Sequence, residues 1–226
     1  MAFQMVHMEI AYRVMEKLGI QDNREEFILG SVSPDSIHMR EDYNVELKVH
    51  SHLFEGCGPW GDTQDYTKWT ENMYRFLDTY GKIDTDNKNR MLIYGIFAHC
   101  KTDYWNDLKI WRRAQKEFLS SMGVEKFKKE YYQEAKALDV WLYQNSEHTE
   151  EIRQLLSLAK EEGFADYYSA DDVVKMKKHL LDVQYNVPSV DVNGFIYYPK
   201  ERLQEFLADV TEDICKELTE RIGMIA

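Results

Sequence analysis

Five residues in the first half of the chain have side chains that commonly bind metal ions. They are three histidines and two aspartates: His7, Asp35, His52, His99 and Asp103. His99 and Asp103 lie four residues apart in an apolar stretch, so on a helix they share one face. An imidazole and a carboxylate on one face can bind a single divalent ion. A metal-dependent hydrolase is therefore the leading hypothesis from the residue types alone.

Each of these residues also has an interpretation without a metal. A single histidine on a helix, such as His7, is more often a hydrogen-bonded interior or surface residue. Asp35 follows a proline, which is typical of a turn or a cap, and His52 could form a solvated pair with His50. An unpaired imidazole in an apolar run would be costly, but a hydrogen bond to the aspartate one turn later would satisfy His99. The spacing alone leaves ligation and simple pairing open for that pair.

Composition and charge restrict the class of protein. The chain has 226 residues, of which 44% are hydrophobic and 30% are charged, and its net charge is −12. This charge argues against broad nucleic-acid binding, because phosphate backbones attract basic surfaces. No stretch approaches the roughly 18 apolar residues of a membrane span, and the first 19 residues carry charges inside what would be the apolar core of a signal peptide. Three widely spaced cysteines without a CxxC motif fit a reduced compartment, so we expect a cytoplasmic protein.

Hydrophobic periodicity predicts a mostly helical chain. The sequence has four prolines, and long proline-free stretches follow a period near 3.6 residues. The segment 34–62 is predicted to be irregular, and 187–198 is either a small hairpin or a loop. The predicted helices cover residues 3–18, 24–32, 63–80, 86–107, 111–122, 125–143, 149–162, 170–185 and 199–222.

The helix predicted over 86–107 is apolar nearly all round, which indicates a buried central position. Asp84 or Thr85 could cap it. Gly95 costs this helix about 1 kcal/mol relative to alanine, which suggests close approach of another helix or of a bound ion. We expect one all-α domain over 1–226, in which 1–107 form a metal-site core and 108–226 a helical remainder that could be a loosely attached appendage.

The order of four short motifs resembles the zinc-dependent phospholipase C family and its S1/P1 nuclease relatives. The resemblance covers about residues 1–107, and it implies an all-α, multi-helix bundle with metals in a cleft. The matching segments are H-x-x-I-A from His7, the G-S-V-S-P-D turn ending at Asp35, Ser51-His52, and A-H-x-x-x-D with His99 and Asp103.

The resemblance also implies which residues bind metal and what reaction follows. In that family, one zinc is bound by the residues matching Asp35, His52, His99 and Asp103. The residue matching His7 binds a second zinc, toward which the carboxylate matching Asp103 bridges, and the residue matching Asp35 has been assigned as a general base. The implied activity is hydrolysis of a phosphate ester or a phospholipid head group by a metal-bound hydroxide. One or two zinc ions are expected, although manganese or iron would accept the same ligands.

The sequence departs from the family pattern at several positions. Secreted members use the α-amino group of a processed N-terminal tryptophan as a ligand, whereas this chain begins MAFQMVH. Lys109 stands where the family has a further histidine. The later H-x-x-x-E motif is missing, because His148 and His179 are followed at four residues by Ile152 and Val183. A third zinc site is therefore expected to be lost or rebuilt, with the two histidines and the acids three residues after them as weak substitutes.

Two other kinds of protein are alternatives to a zinc-dependent phosphoesterase. An HD-type nucleotide phosphohydrolase also uses scattered histidines and aspartates, but its adjacent His-Asp pair is absent. A non-catalytic helical metal-binding or regulatory protein would keep the site without turnover. His38 and His50 are spare ligand candidates, and His50 could replace His52. Aromatic residues near the motifs, such as Trp60 and Trp69, could hold an ammonium group, although core packing explains such residues more often.

Overall fold

Helices account for almost all regular structure in the computed structural model, which describes residues 2–81 and 86–223. Among these residues there is no β-strand apart from one isolated antiparallel bridge between Phe164 and Tyr168, so the predicted all-α fold is confirmed. The helices are α1 (Gln4–Lys17), α2 (Arg24–Gly30), α3 (Val45–Ser51), α4 (Tyr66–Tyr80), α5 (Asn87–Trp105), α6 (Arg112–Met122), α7 (Val124–Asn145), α8 (Thr149–Leu158), α9 (Ala170–His179) and α10 (Lys200–Ile222).

The segment predicted to be irregular, 34–62, contains two helical pieces, so that prediction was wrong over 34–39 and 45–51, whereas 40–44 and 52–62 have turns and bends. A 3₁₀ helix spans Ser33–Met39, and α3 follows it. The side-chain oxygen of Asn44 accepts hydrogen bonds from the backbone N–H groups of Glu46 and Leu47. This cap satisfies donors that a helix start otherwise leaves open. The glycines that suggested irregular structure all follow α3 in the chain.

The break predicted between the helices over 86–107 and 111–122 is absent because the chain continues through a π-helical turn. The helices predicted over 86–107 and 111–122 are one continuous helical segment, in which Asn106–Trp111 joins α5 to α6. Leu180–Gln184 extends α9 with π-helical geometry, so the helix predicted over 170–185 continues nearly to its predicted end. Such π turns are frequent near functional sites.

Three smaller expectations can be placed on the structure. Asp84 and Thr85, the predicted caps, lie outside the described residues. Within them, Asp86 caps α5 by accepting a hydrogen bond from the backbone N–H of Asn89. The segment 187–198 has turns and no strand, which confirms the loop alternative.

The contact between α2 and α5 is unusually close because a glycine lies on each side of it. A Cβ atom on Gly95 would lie 2.2 Å from the carbonyl oxygen of Phe27 and 2.8 Å from Cα of Gly30. A Cβ atom on Gly30 would lie 2.2 Å from the carbonyl oxygen of Leu92. The close approach predicted at Gly95 is therefore that of another helix.

The centre of α5 is buried among the surrounding helices. It packs against α1, α2, α4 and α10, and α1 also packs against α7. The predicted division into a core over 1–107 and a remainder over 108–226 stays a prediction. All three cysteines are buried free thiols. Within the described ranges, no helix combines the length and the apolar character needed to cross a membrane.

Candidate metal centre

Four elements bring the five predicted ligand residues together in the interior. His7 lies on α1, Asp35 on the 3₁₀ helix, His52 at the C-terminal cap of α3, and His99 and Asp103 on α5. All five are buried, and Asp35, the most exposed of them, has 4% of its surface accessible. Their identity as metal ligands stays a prediction, but the structure places them in one site.

The nitrogen and oxygen atoms of these side chains face each other at short distances. His52 Nε2 lies 3.1 Å from His99 Nε2, 3.2 Å from Asp35 Oδ1 and 3.6 Å from Asp103 Oδ2. His7 Nε2 lies 3.5 Å from Asp103 Oδ1, and the rings of His7 and His99 are stacked with their centroids 3.9 Å apart.

These atoms form two overlapping groups that could each hold an ion. One group is His7, His99 and Asp103, and the other is Asp35, His52 and His99. Within each group the ligand atoms all lie within 4.8 Å of one another. The resemblance assigns Asp103 to both ions, whereas in these two groups His99 is the shared member.

Backbone and side-chain contacts fix the orientation of the imidazoles. His99 Nδ1 lies 2.8 Å from the carbonyl oxygen of Ser31. Because a carbonyl accepts hydrogen bonds but cannot donate them, Nδ1 carries the proton and Nε2 of a neutral His99 is left as a free lone pair. His52 Nδ1 lies 2.8 Å from the hydroxyl of Ser51. Outer contacts of this kind typically orient metal-binding histidines.

Burial and neighbouring charges give these side chains the protonation states that metal binding requires. Burial, assisted by the charge of Lys48, lowers the pKa of His52 to about 4. Burial and the nearby His7 hold the pKa of His99 well below its ordinary value. Both imidazoles are therefore neutral at pH 7, which is the form that ligates metals.

The two carboxylates are shifted in the opposite sense. Burial alone would raise the pKa of Asp35, but the charge of Lys48 and the neighbouring His38 and His52 outweigh it and hold that pKa well below its usual range. Burial likewise opposes ionisation of Asp103, and its contact with His7 leads the interactions that bring its pKa below the ordinary value. Both aspartates are therefore ionised at neutral pH.

Several buried polar atoms in the centre have no hydrogen-bond partner. They are both ring nitrogens of His7 and Oδ2 of Asp103, while Asp103 Oδ1 accepts from the backbone nitrogen of Ala2 at 2.9 Å. A buried polar group without a partner costs about 1–3 kcal/mol. A divalent ion would satisfy these atoms, and a set of imidazole and carboxylate ligands suits zinc. The residues present therefore fit the metal that the motifs implied.

Lys48 is a member of this site that the sequence analysis missed. Its Nζ lies 2.9 Å from Asp35 Oδ1 and 2.9 Å from His38 Nε2. Lys48 stands four residues before His52 along α3, so a helix over this segment would have placed the two residues on one face. The signal was lost because the segment was predicted to be irregular.

The remaining histidines lie outside the two groups. His50 contacts Glu55 at 2.6 Å and stacks on Tyr167, so it does not take the place of His52. His148 Nδ1 lies 2.9 Å from Glu9 Oε1, not beside the acid three residues later. His179 lines the cleft described next. Among the residues that the structure describes, none of these three belongs to a group that could hold an ion.

A cleft of about 500 Å³ opens onto the centre at Asp35 and Lys48. Its outer walls come partly from α7 and α9 and their continuations. The apolar residues that line the cleft include Phe3, Met39, Val140, Met176, Val183 and Val187. A separate narrow cavity of about 20 Å³ borders Asp103 and is lined in part by the indoles of Trp60, Trp69 and Trp111. This second space is too small for more than a single water molecule.

Comparison with known proteins supports the resemblance stated above. Residues 6–105 match the family model described as zinc dependent phospholipase C. No curated protein and no solved structure matches the chain. The matched range contains all five predicted ligands and Lys48. The similarity to the zinc-dependent phospholipase C family is therefore found over residues 6–105, which is less than half of the 226-residue chain.

Proposed function

We propose that this protein is a metal-dependent phosphoesterase, with zinc as the expected ion. The observation that carries this proposal is the convergence of three imidazoles and two carboxylates, buried and partly without hydrogen-bond partners, beside an open cleft. A divalent ion held there would polarise the phosphate ester and activate a water molecule at neutral pH.

The five residues of the centre would each have a role in binding metal. His52 and His99 present neutral nitrogens, and Asp35 and Asp103 present ionised oxygens, so these four would hold the principal ion. His7 would contribute to an adjacent ion with Asp103, which lies 3.5 Å from it.

Asp35 has two roles under the resemblance, ligand and general base. A carboxylate whose pKa is held low is a weak proton acceptor, since a general base works best with a pKa near the operating pH. The electrostatics of the site therefore favour Asp35 as a ligand over Asp35 as a base.

The cleft indicates the class of substrate. Its volume of about 500 Å³ lies within the range of small-molecule sites. Apolar walls surround a polar floor, so a phosphate ester with an apolar portion fits better than a fully polar one. We infer a small-molecule phosphate ester or a phospholipid head group as substrate.

One observation favours a second candidate function, a non-catalytic metal-binding protein. The H-x-x-x-E motif of the family is absent, and among the described residues no third group of ligand side chains replaces it. A site reduced in this way could bind an ion without turning over a substrate. An HD-type phosphohydrolase is not favoured, because no His-Asp pair occurs in the sequence.

Metal analysis of three purified proteins tests the proposal. Wild type and His50→Ala are expected to bind about one or two zinc ions per chain, whereas His99→Ala loses zinc. His50 is a matched control because it is two residues from His52 but faces Glu55, outside the centre. Negligible zinc in the wild type after loading, or unchanged zinc in His99→Ala, would reject the metal assignment.

Turnover is measured on the same proteins. Zinc-loaded wild type and His50→Ala are expected to hydrolyse a chromogenic phosphate monoester or diester, and chelation should abolish the activity. If the wild type binds zinc and hydrolyses neither ester, the non-catalytic alternative is supported.

A further inference from the structure

Lys48 is a buried cation at the boundary between the metal centre and the cleft. It is 1% exposed, its ammonium contacts Asp35 and His38, and it lies 5.0 Å from the ring centroid of Trp60. Burying an ammonium group is costly unless partners compensate. Lys48 also lines the cleft, so this charge is placed where a ligand would arrive.

The hydrogen-bonding capacity of Lys48 is not exhausted. An ammonium group has three N–H donors, and among the described residues two acceptors take them: Oδ1 of Asp35 and Nε2 of His38. One donor is left. In addition, Asp35 Oδ1 lies 3.2 Å from His52 Nε2. The carboxylate that pairs with Lys48 would therefore also be a ligand of a bound ion.

The balance of charge around the cleft depends on Lys48. The carboxylates of Asp35, Asp103 and Asp139 lie at the centre or along the cleft, together with Lys48 and Lys136. One divalent ion, the three carboxylates and the two lysines sum to a single positive charge. Without Lys48 the sum would be zero. Since the chain has a net charge of −12, an anionic ligand would otherwise be repelled.

We propose that Lys48 binds a non-bridging oxygen of the substrate phosphate, using the donor that its protein partners leave available. The inference rests on the proposed function and extends it by naming the group that recognises the phosphate. Lys48 would relax part of its contact with Asp35 when that carboxylate binds the ion. His38 would keep the ammonium directed at the cleft.

Calorimetric titration with inorganic phosphate tests this role without requiring turnover. The zinc-loaded proteins are wild type, Lys48→Met and Lys48→Arg, and zinc content is measured on each. Lys101→Met is the matched control, because Lys101 is equally buried but pairs with Glu217 on α10. We expect Lys48→Met to keep its zinc and to lose at least about tenfold in phosphate affinity, about 1.4 kcal/mol. Lys48→Arg should recover part of that loss, and Lys101→Met should bind phosphate as the wild type does.

Three results would overturn the inference. They are no phosphate binding by the zinc-loaded wild type, unchanged affinity in Lys48→Met, and a loss of affinity that merely follows a loss of zinc. If Lys48→Met does not fold, Lys48→Gln is judged by the same criteria. Phosphate binding that depends on Lys48 in a protein that hydrolyses no ester would refute the phosphoesterase proposal and leave this inference standing.

Discussion

Replacing Gly95 by alanine probes the contact that aligns the metal centre. The added methyl carbon would lie 2.2 Å from the carbonyl oxygen of Phe27 and 2.8 Å from Cα of Gly30. Ordinary van der Waals contact begins near 3.4 Å, so α2 and α5 must separate by roughly 1 Å. All the atoms involved belong to backbones, and no side-chain rotation can relieve the overlap.

The expected loss of stability follows from two opposing effects. Alanine is favoured over glycine in a helix interior by about 1 kcal/mol. Overpacking a close contact costs typically about 1–3 kcal/mol, and a clash between two backbones belongs at the upper end. Gly95→Ala should therefore lower the free energy of unfolding by about 2 kcal/mol, or about 4–8 °C in the melting temperature of a chain of this size.

The same displacement reaches the site. Ser31 follows Gly30, and His99 follows Gly95 by one turn, so separating α2 from α5 stretches the 2.8 Å contact between His99 Nδ1 and the carbonyl of Ser31. A lengthening of roughly 1 Å exceeds hydrogen-bonding distance. Loss of such an outer contact typically weakens metal binding by about 10–100-fold.

Thermal unfolding of the metal-free protein and zinc titration measure the two effects. Gly123→Ala is a control, because Gly123 has a φ of +81° and a Cβ atom there meets nothing within 4 Å. This control should lose about 1–3 kcal/mol through backbone strain and keep its zinc affinity. If Gly95→Ala is as stable as the wild type and binds zinc equally well, the two glycines do not set the spacing of the centre.

Two further predictions concern residues that support the site. Burial raises the pKa of Asp139 to about 6, so the folded protein holds this proton more tightly than the unfolded chain. The stability of the metal-free protein should therefore fall as the pH rises from about 4 to about 6. Asp139→Asn should remove that fall, about 3 kcal/mol in total, in denaturation curves at pH 4 and pH 7; an equally steep fall in the variant would contradict the assignment. Asn44→Ala removes the N-cap of α3, which carries Lys48, and should cost about 1 kcal/mol in the same assay. Unchanged stability would mean that the cap is dispensable.

The sequence predicted the long helices well because their apolar periodicity is strong. It failed at α3, where the cap residue Asn44 was present but the glycines at 56, 58 and 61 dominated the interpretation of the segment. It also failed to join the helices over 86–107 and 111–122, since the π-helical turn that connects them departs from the regular period of 3.6 residues. These errors had a consequence for function, because Lys48 is recognisable as a neighbour of His52 only on a helix.

The site was predictable to different degrees at different positions. The spacing of His99 and Asp103 on one helix indicated a shared face directly. The convergence of His7, Asp35 and His52 on that face came from the resemblance to a family, because no local pattern determines how separate elements meet. The close approach at Gly95 was foreseen, but its partner Gly30 was not, since Gly30 lies inside the helix predicted over 24–32 and no local pattern shows which helix packs against α5.

The shared position of His99 limits how the centre can be filled. Its Nδ1 is committed to the carbonyl of Ser31, so Nε2 offers one lone pair and can bind one ion at a time. The two groups that contain His99 therefore cannot both bind an ion through His99 at the same time. A second ion would have to depend on His7 and on Asp103, whose carboxylate has two oxygens and can bridge. If two ions bind, we expect the ion beside Asp35, His52 and His99 to be the tighter of the two, because it would use the Nε2 lone pair of His99.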